Sequence, residues 1–112
     1  MTRTLLLIFL LIITTKGAYS ASGQQLRDDC TGEMINKISC LYFLGGFGAA
    51  GLEINDRIAS NGIKRLWCET NKITWTHRRK IVLDYIDKNP KIKNSEAATV
   101  IIDAHIAAFP CK

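Results

Sequence analysis

Apolar and polar positions divide this chain into an apolar head, a long central segment and two amphipathic stretches at the end. Leu5 to Ile13 is an unbroken apolar run of nine residues, too short to span a bilayer as a helix, which needs about 20. At the far end, Ala98, Ile101, Ile102, His105, Ile106 and Phe109 recur at three- and four-residue steps, the stripe of an amphipathic helix starting near Asn94-Ser95-Glu96 and closed by Pro110. Before it, Trp75, Val82 and Ile86, flanked by Leu83 and Tyr85, fall mostly on one face of a second helix. Thr74 is its N-cap and Pro90 its stop, because the residue before a proline avoids helical geometry. The pair, about 74–88 and 95–108, has matched lengths and a short link, which predicts an antiparallel hairpin.

Upstream, Ile35 to Ser60 reads as one long helix ending at the cap signal Asn61-Gly62. Its middle holds four glycines, Gly45, Gly46, Gly48 and Gly51, each costing a helix about 1 kcal/mol relative to alanine. Small residues at three- and four-residue steps let another backbone approach closely. The segment is therefore expected to be a central helix, packed tightly by its neighbours or by a second subunit. A phosphate-binding loop would need the Walker Lys-Ser/Thr and a strand–turn–helix setting, and neither is present. A short first helix is expected around Gln24 to Asp29. Sustained strand alternation is absent, so the fold class is all-α, a small bundle of about four helices.

The apolar head changes the picture of location. Met1-Thr2-Arg3-Thr4 is short and basic, and Thr14 to Ser20 turns small and polar, with Ala18 and Ser20 at the −3 and −1 positions of a cleavage site. Residues 1–20 are thus expected to be a secretory signal peptide and 21–112 the mature helical domain. Without Arg3 and Lys16 the domain carries 13 basic and 10 acidic residues, a net charge of +3 with both signs interspersed. That is no nucleic-acid footprint, which needs clustered Lys and Arg in larger excess. No membrane association is expected after signal cleavage.

All four cysteines, Cys30, Cys40, Cys68 and Cys111, lie in the mature part. An even count in an oxidising compartment predicts two disulfides. The spacings contain no Cys-x-x-Cys pair and no nearby His pair, which argues against zinc. Cys68 precedes the hairpin and Cys111 follows it, so a Cys68–Cys111 bond would clasp its open end and leave Cys30 for Cys40. The other two pairings stay open at this level.

Catalytic machinery is thin. His77 and His105 lie on different helices, no Gly-x-Ser-x-Gly occurs, and paired cysteines leave no thiol nucleophile. No cofactor or metal motif is present. Glu53, Asp56 and Arg57, and Asp84, Asp87 and Lys88, read as solvated surface. His105 reads as a buried or half-buried histidine with one hydrogen bond. Arg78, Arg79 and Lys80 stand in the first turn of their helix, where the dipole disfavours cations, which fits either accident or a surface kept for a partner. A protein that acts by binding is expected, not an enzyme.

The segment Ile81-Val82-Leu83-Asp84-Tyr85-Ile86-Asp87-Lys88-Asn89-Pro90, the helix after it and the closing Phe109-Pro110-Cys111 resemble the Rap/Tai family of type VI secretion immunity proteins. Cys40-Leu41-Tyr42-Phe43-Leu44-Gly45-Gly46 is similar to the family's second signature, a Cys followed by Gly-Tyr-Ile-x-Gly. Tyr42 and Phe43 replace its first glycine and its tyrosine, and Glu69-Thr70 replace the aliphatic residue and proline that normally follow Cys68. These departures mark a divergent branch. The resemblance implies a small helical bundle, often a homodimer, in the periplasm of a Gram-negative bacterium. It also implies a toxin–antitoxin role: binding a peptidoglycan amidase effector and occluding its active site.

No inhibitory residue transfers with the motifs, so candidates rest on physical grounds. The hairpin tip, with Lys88, Lys91, Lys93 and Asn94, is expected to be exposed, basic and rigidly held, a shape suited to plugging a cleft. Trp75, Arg78 and Arg79 form a second candidate face with the composition of interface hot spots. A rival class is a small acid-stress chaperone of the periplasm, helical and disulfide-bonded. A secreted hydrolase is the third.

Overall fold

The computed structural model describes residues 21–112 except Asn71. The expected signal peptide lies outside the described residues. Among the described residues there are four α-helices: α1 (Gly23–Thr31), α2 (Met34–Ser60), α3 (Trp75–Lys88) and α4 (Ala97–Ala108), with a 3-10 turn at Pro90–Asn94 between the last two. The all-α expectation holds, and the helix boundaries fall within a few residues of those expected.

Local chemistry explains the ends. The Ser22 side chain accepts a hydrogen bond from the Gln25 amide at 3.1 Å and opens α1. Thr74 does the same for the His77 amide at 3.1 Å and opens α3. Gly62, at φ +75°, takes the left-handed conformation that ends α2, and its amide reaches the Ala59 carbonyl at 3.0 Å. Pro90 cannot continue α3 and instead starts the 3-10 turn.

The core joins Leu26 and Cys30 of α1, Cys40 and Leu44 of α2, Val82 and Ile86 of α3, and Ala97, Val100, Ile101 and Ala104 of α4. The buried face of α4 therefore runs 97–100–101–104–105, not along the whole predicted stripe. Ile106 is exposed and Ile102 half-buried, because the alanines at 97 and 104 let α4 lie close against its neighbours. The segment before α1 is pinned to the start of α4. Ala97 donates to the Ala21 carbonyl at 2.6 Å, and the Gly23 amide donates to Ser95 at 2.8 Å.

The disulfides are Cys30–Cys40, tying α1 to α2, and Cys68–Cys111, closing the α3–α4 hairpin. Of the three pairings left open by the sequence, this is the one in which a disulfide clasps the hairpin. Closing loops of 43 and 10 residues contributes about 4 and 3 kcal/mol on the chain-entropy account. The irregular stretch 61–70 that follows α2 is also held through its backbone. Leu66 donates to Asn55 Oδ1 at 2.8 Å, and Cys68 donates to the Phe109 carbonyl at 2.8 Å.

Candidate functional site

The glycines of α2 form a row of notches. Gly45, Gly48 and Gly51 recur every three residues and lie under the Trp75 ring, the Arg78 guanidinium and the Trp67 ring respectively. A Cβ at Gly51 would come within 2.6 Å of Trp67, and Cβ atoms at Gly45 and Gly48 would overlap Trp75 and Arg78 still more closely. A Cβ at Gly46 meets nothing within 4 Å. The expected reason for these glycines, close approach of another backbone, is thus corrected: they receive large side chains.

Arg78 anchors what these notches hold. It is 4% exposed and lies between α2 and α4. Its Nη1 and Nη2 donate to Glu69 Oε1 at 2.7 Å and Oε2 at 3.0 Å, the fork geometry for which guanidinium and carboxylate are matched. Nη1 also donates to His105 Nε2 at 2.8 Å. Trp67 Nε1 donates to Glu69 Oε1 at 3.1 Å.

His105 is fully buried, and its Nδ1 lies 2.7 Å from the Ile101 carbonyl. A carbonyl only accepts, so Nδ1 carries the proton and Nε2 is free to accept from Arg78. The ring is fixed as one neutral tautomer. Burial pushes its pKa below the ordinary histidine value. The Ile101 hydrogen bond opposes that shift, the Arg78 charge adds to it, and Glu69 opposes it. Sequence reasoning expected one hydrogen bond on His105; it has two. Trp67 was not singled out, and Glu69 only as a departure from the family pattern, because their partner Arg78 is reached through an irregular connection that carries no period.

The candidate interface residues divide between two places. Lys88, Lys91 and Asn94 are exposed at the hairpin tip and Lys93 is half-buried, around the 3-10 turn. Trp75 stands at the opposite end of α3, about 20 Å away by helical rise. It is 47% exposed and tilts against Tyr42 with ring centroids 5.2 Å apart. Arg78 is not on the surface, a correction to its place in that face: its partner is Glu69. Arg79 is half-buried, and its Nε donates to the Cys30 carbonyl at 2.8 Å. Arg78 and Arg79 thus have partners inside the fold. Lys80 pairs with Asp84 one turn on and holds its carboxyl below the usual range.

The acidic residues read as surface behave so. Glu53 pairs with Arg57, Asp56 with Arg65 and Asp87 with Arg27, all in exposed or half-exposed positions. Among the described residues no cluster of metal-ligating side chains occurs, and no helix is long and apolar enough to cross a membrane. All four cysteines are paired. The outer face of α2 is apolar over much of its length: Ile35, Ile38, Tyr42, Phe43 and Ile54 are each more than 40% exposed.

These features define a stapled helical bundle whose charged interior is sealed and whose distinctive groups are outward: a basic tip, an aromatic pair and an apolar helix face. The chain belongs to the Rap1a immunity proteins, the family that matches it over residues 22–111. The match covers all four helices and both disulfides. Membership implies an inhibitor that binds a partner effector protein. No curated protein and no solved structure matches the chain.

Proposed function

We propose that this protein is a periplasmic immunity protein that binds and inhibits a peptidoglycan amidase delivered by type VI secretion. In this reading residues 1–20 direct export and are removed, and the domain from Ala21 meets the effector in the periplasm. The observation that carries the reading is the family match over the whole helical domain. The type VI and amidase assignments rest on the resemblance at Asn89-Pro90 and Phe109-Pro110-Cys111. The protein acts as a homodimer, which the exposed apolar face of α2 supports, since a second copy would cover Ile35, Ile38 and Tyr42.

The test is capture. The oxidised protein is immobilised and exposed to lysate from bacteria armed with type VI systems, and retained proteins are identified by mass spectrometry. A retained peptidoglycan amidase that loses lytic activity in the complex is the expected result. Retention of many unfolded periplasmic proteins, stronger at low pH, would overturn it in favour of a chaperone.

A further inference from the structure

The Glu69–Arg78–His105 cluster draws its members from three elements. Glu69 comes from the stretch 61–70, Arg78 from α3 and His105 from α4. All three side chains are enclosed: those of Glu69 and Arg78 are 3% and 5% exposed, and His105 is fully buried. The charged groups that act on the imidazole are Arg78 and Glu69. The Trp67 and Phe109 rings flank it, with centroids 5.3 and 6.3 Å away. Of the charged residues of α1 and α2, Arg27 pairs with Asp87, Asp28 with Gln24, Asp56 with Arg65 and Glu53 with Arg57, and Asp29 and Lys37 are exposed.

This arrangement is satisfied in one protonation state. With His105 neutral, Nδ1 donates to Ile101 and Nε2 accepts from Arg78. A second proton on Nε2 would face a guanidinium N–H, donor against donor. Turning the ring does not help, because the Ile101 carbonyl holds the other nitrogen. The anion within the cluster is Glu69, whose two oxygens already take bonds from Arg78 and Trp67. Acid therefore sets two cations against one carboxylate in a place closed to water.

We propose that Glu69, Arg78 and His105 form an acid-sensitive latch on the stretch 61–70: protonation of His105 displaces Arg78, and the stretch opens from α2. Trp67 then leaves its notch at Gly51, and its indole N–H loses Glu69. The Cys68–Cys111 bond keeps the opened segment tethered, so closure on neutralisation is quick and local. The sign follows from the buried state of the ring. Its pKa is lowered in the closed form, so the open form binds the proton more readily. The closed form is favoured above the ordinary histidine value of about 6.5 and loses ground below it, by up to about tenfold in the closed-to-open ratio per pH unit.

The test uses the oxidised protein with Trp75→Phe and His77→Gln, which leaves Trp67 as the fluorophore and His105 as the imidazole. Between about pH 6.5 and 5, where ordinary carboxylates stay mostly ionised, Trp67 emission is expected to shift to the red and to return on neutralisation. His105→Gln in the same background is expected to remove the shift. Nitrogen NMR on the unmodified protein gives a second measure that needs no variant to fold. There the His105 ring is expected to gain its proton in step with a change at the Trp67 indole N–H. Imidazole protonation that leaves the indole signal unmoved would overturn the latch. So would a red shift that persists in His105→Gln, or a ring that takes no proton in this range.

Discussion

The two ends of the α3–α4 hairpin use cations in opposite ways. At the closed end, Arg78 sits on Gly48 with both forks on Glu69 and an edge on His105, next to the Cys68–Cys111 bond. At the tip, Lys88 and Lys91 stand exposed around a 3-10 turn that has no fully buried residue and meets the core only through the half-buried Ile92. In sequence the two sets look alike: basic residues at the ends of amphipathic segments. The difference is made by what faces them across the fold. A notch and a carboxylate turn one cation into an interior anchor, and their absence leaves the others as surface chemistry.

The sharpest way to break that comparison is to remove the anchor. Arg78→Met keeps most of the volume and leaves Glu69 buried without its counter-charge. We expect a loss of about 3–5 kcal/mol in urea unfolding followed by circular dichroism. Glu69→Gln added to Arg78→Met should recover a good part, because the uncompensated carboxylate is then gone. A single-variant loss below about 1 kcal/mol would mean that the pair is energetically a surface pair, and the two ends would not differ in kind.

Next come the notches. Gly48→Ala forces a methyl into the Arg78 guanidinium and should destabilise by about 1–3 kcal/mol. Gly46→Ala, two residues away and facing open space, should stabilise by up to about 1 kcal/mol through helix propensity. Equal effects at the two positions, read from urea midpoints, would show that the glycines serve backbone freedom and not the seating of side chains.

Those glycines also show what was legible beforehand. Their cost to a helix announces that something packs there. The three-residue step puts Gly45, Gly48 and Gly51 on one face with Gly46 off it, a separation that the sequence reading, taking the four together, did not draw. Which partners fill the notches was not legible, because Trp67 and Glu69 lie in a segment without period. Caps and hairpin were legible since Thr74, Asn61-Gly62 and Pro90 act within a few residues of themselves. The hairpin favoured Cys68–Cys111, because matched helices bring those two together, but it left the other two pairings open. Arg78 was misplaced because a cation in a first turn has the same sequence pattern solvated or buried. Only the carboxylate nine positions away, folded back by the connection, separates the two.

The tip gives the smallest expected change in stability and the most direct test of its separate role. Lys88→Ala, Lys91→Ala and Lys93→Ala together should leave the unfolding midpoint within about 0.5 kcal/mol of the parent, as surface substitutions do. Lys93 reaches the body through its backbone, with its Cα 3.2 Å from where a Gly23 Cβ would lie, and alanine keeps that contact. If the tip enters the effector, the same triple variant weakens capture of the amidase and flattens the salt dependence of binding, because charges at a wet rim act at a distance that salt screens. If capture and salt dependence are unchanged while Trp75→Ala abolishes binding, the contact lies at the other end of α3, and the exposed aromatic pair, not the basic tip, is the part of the hairpin that meets the partner.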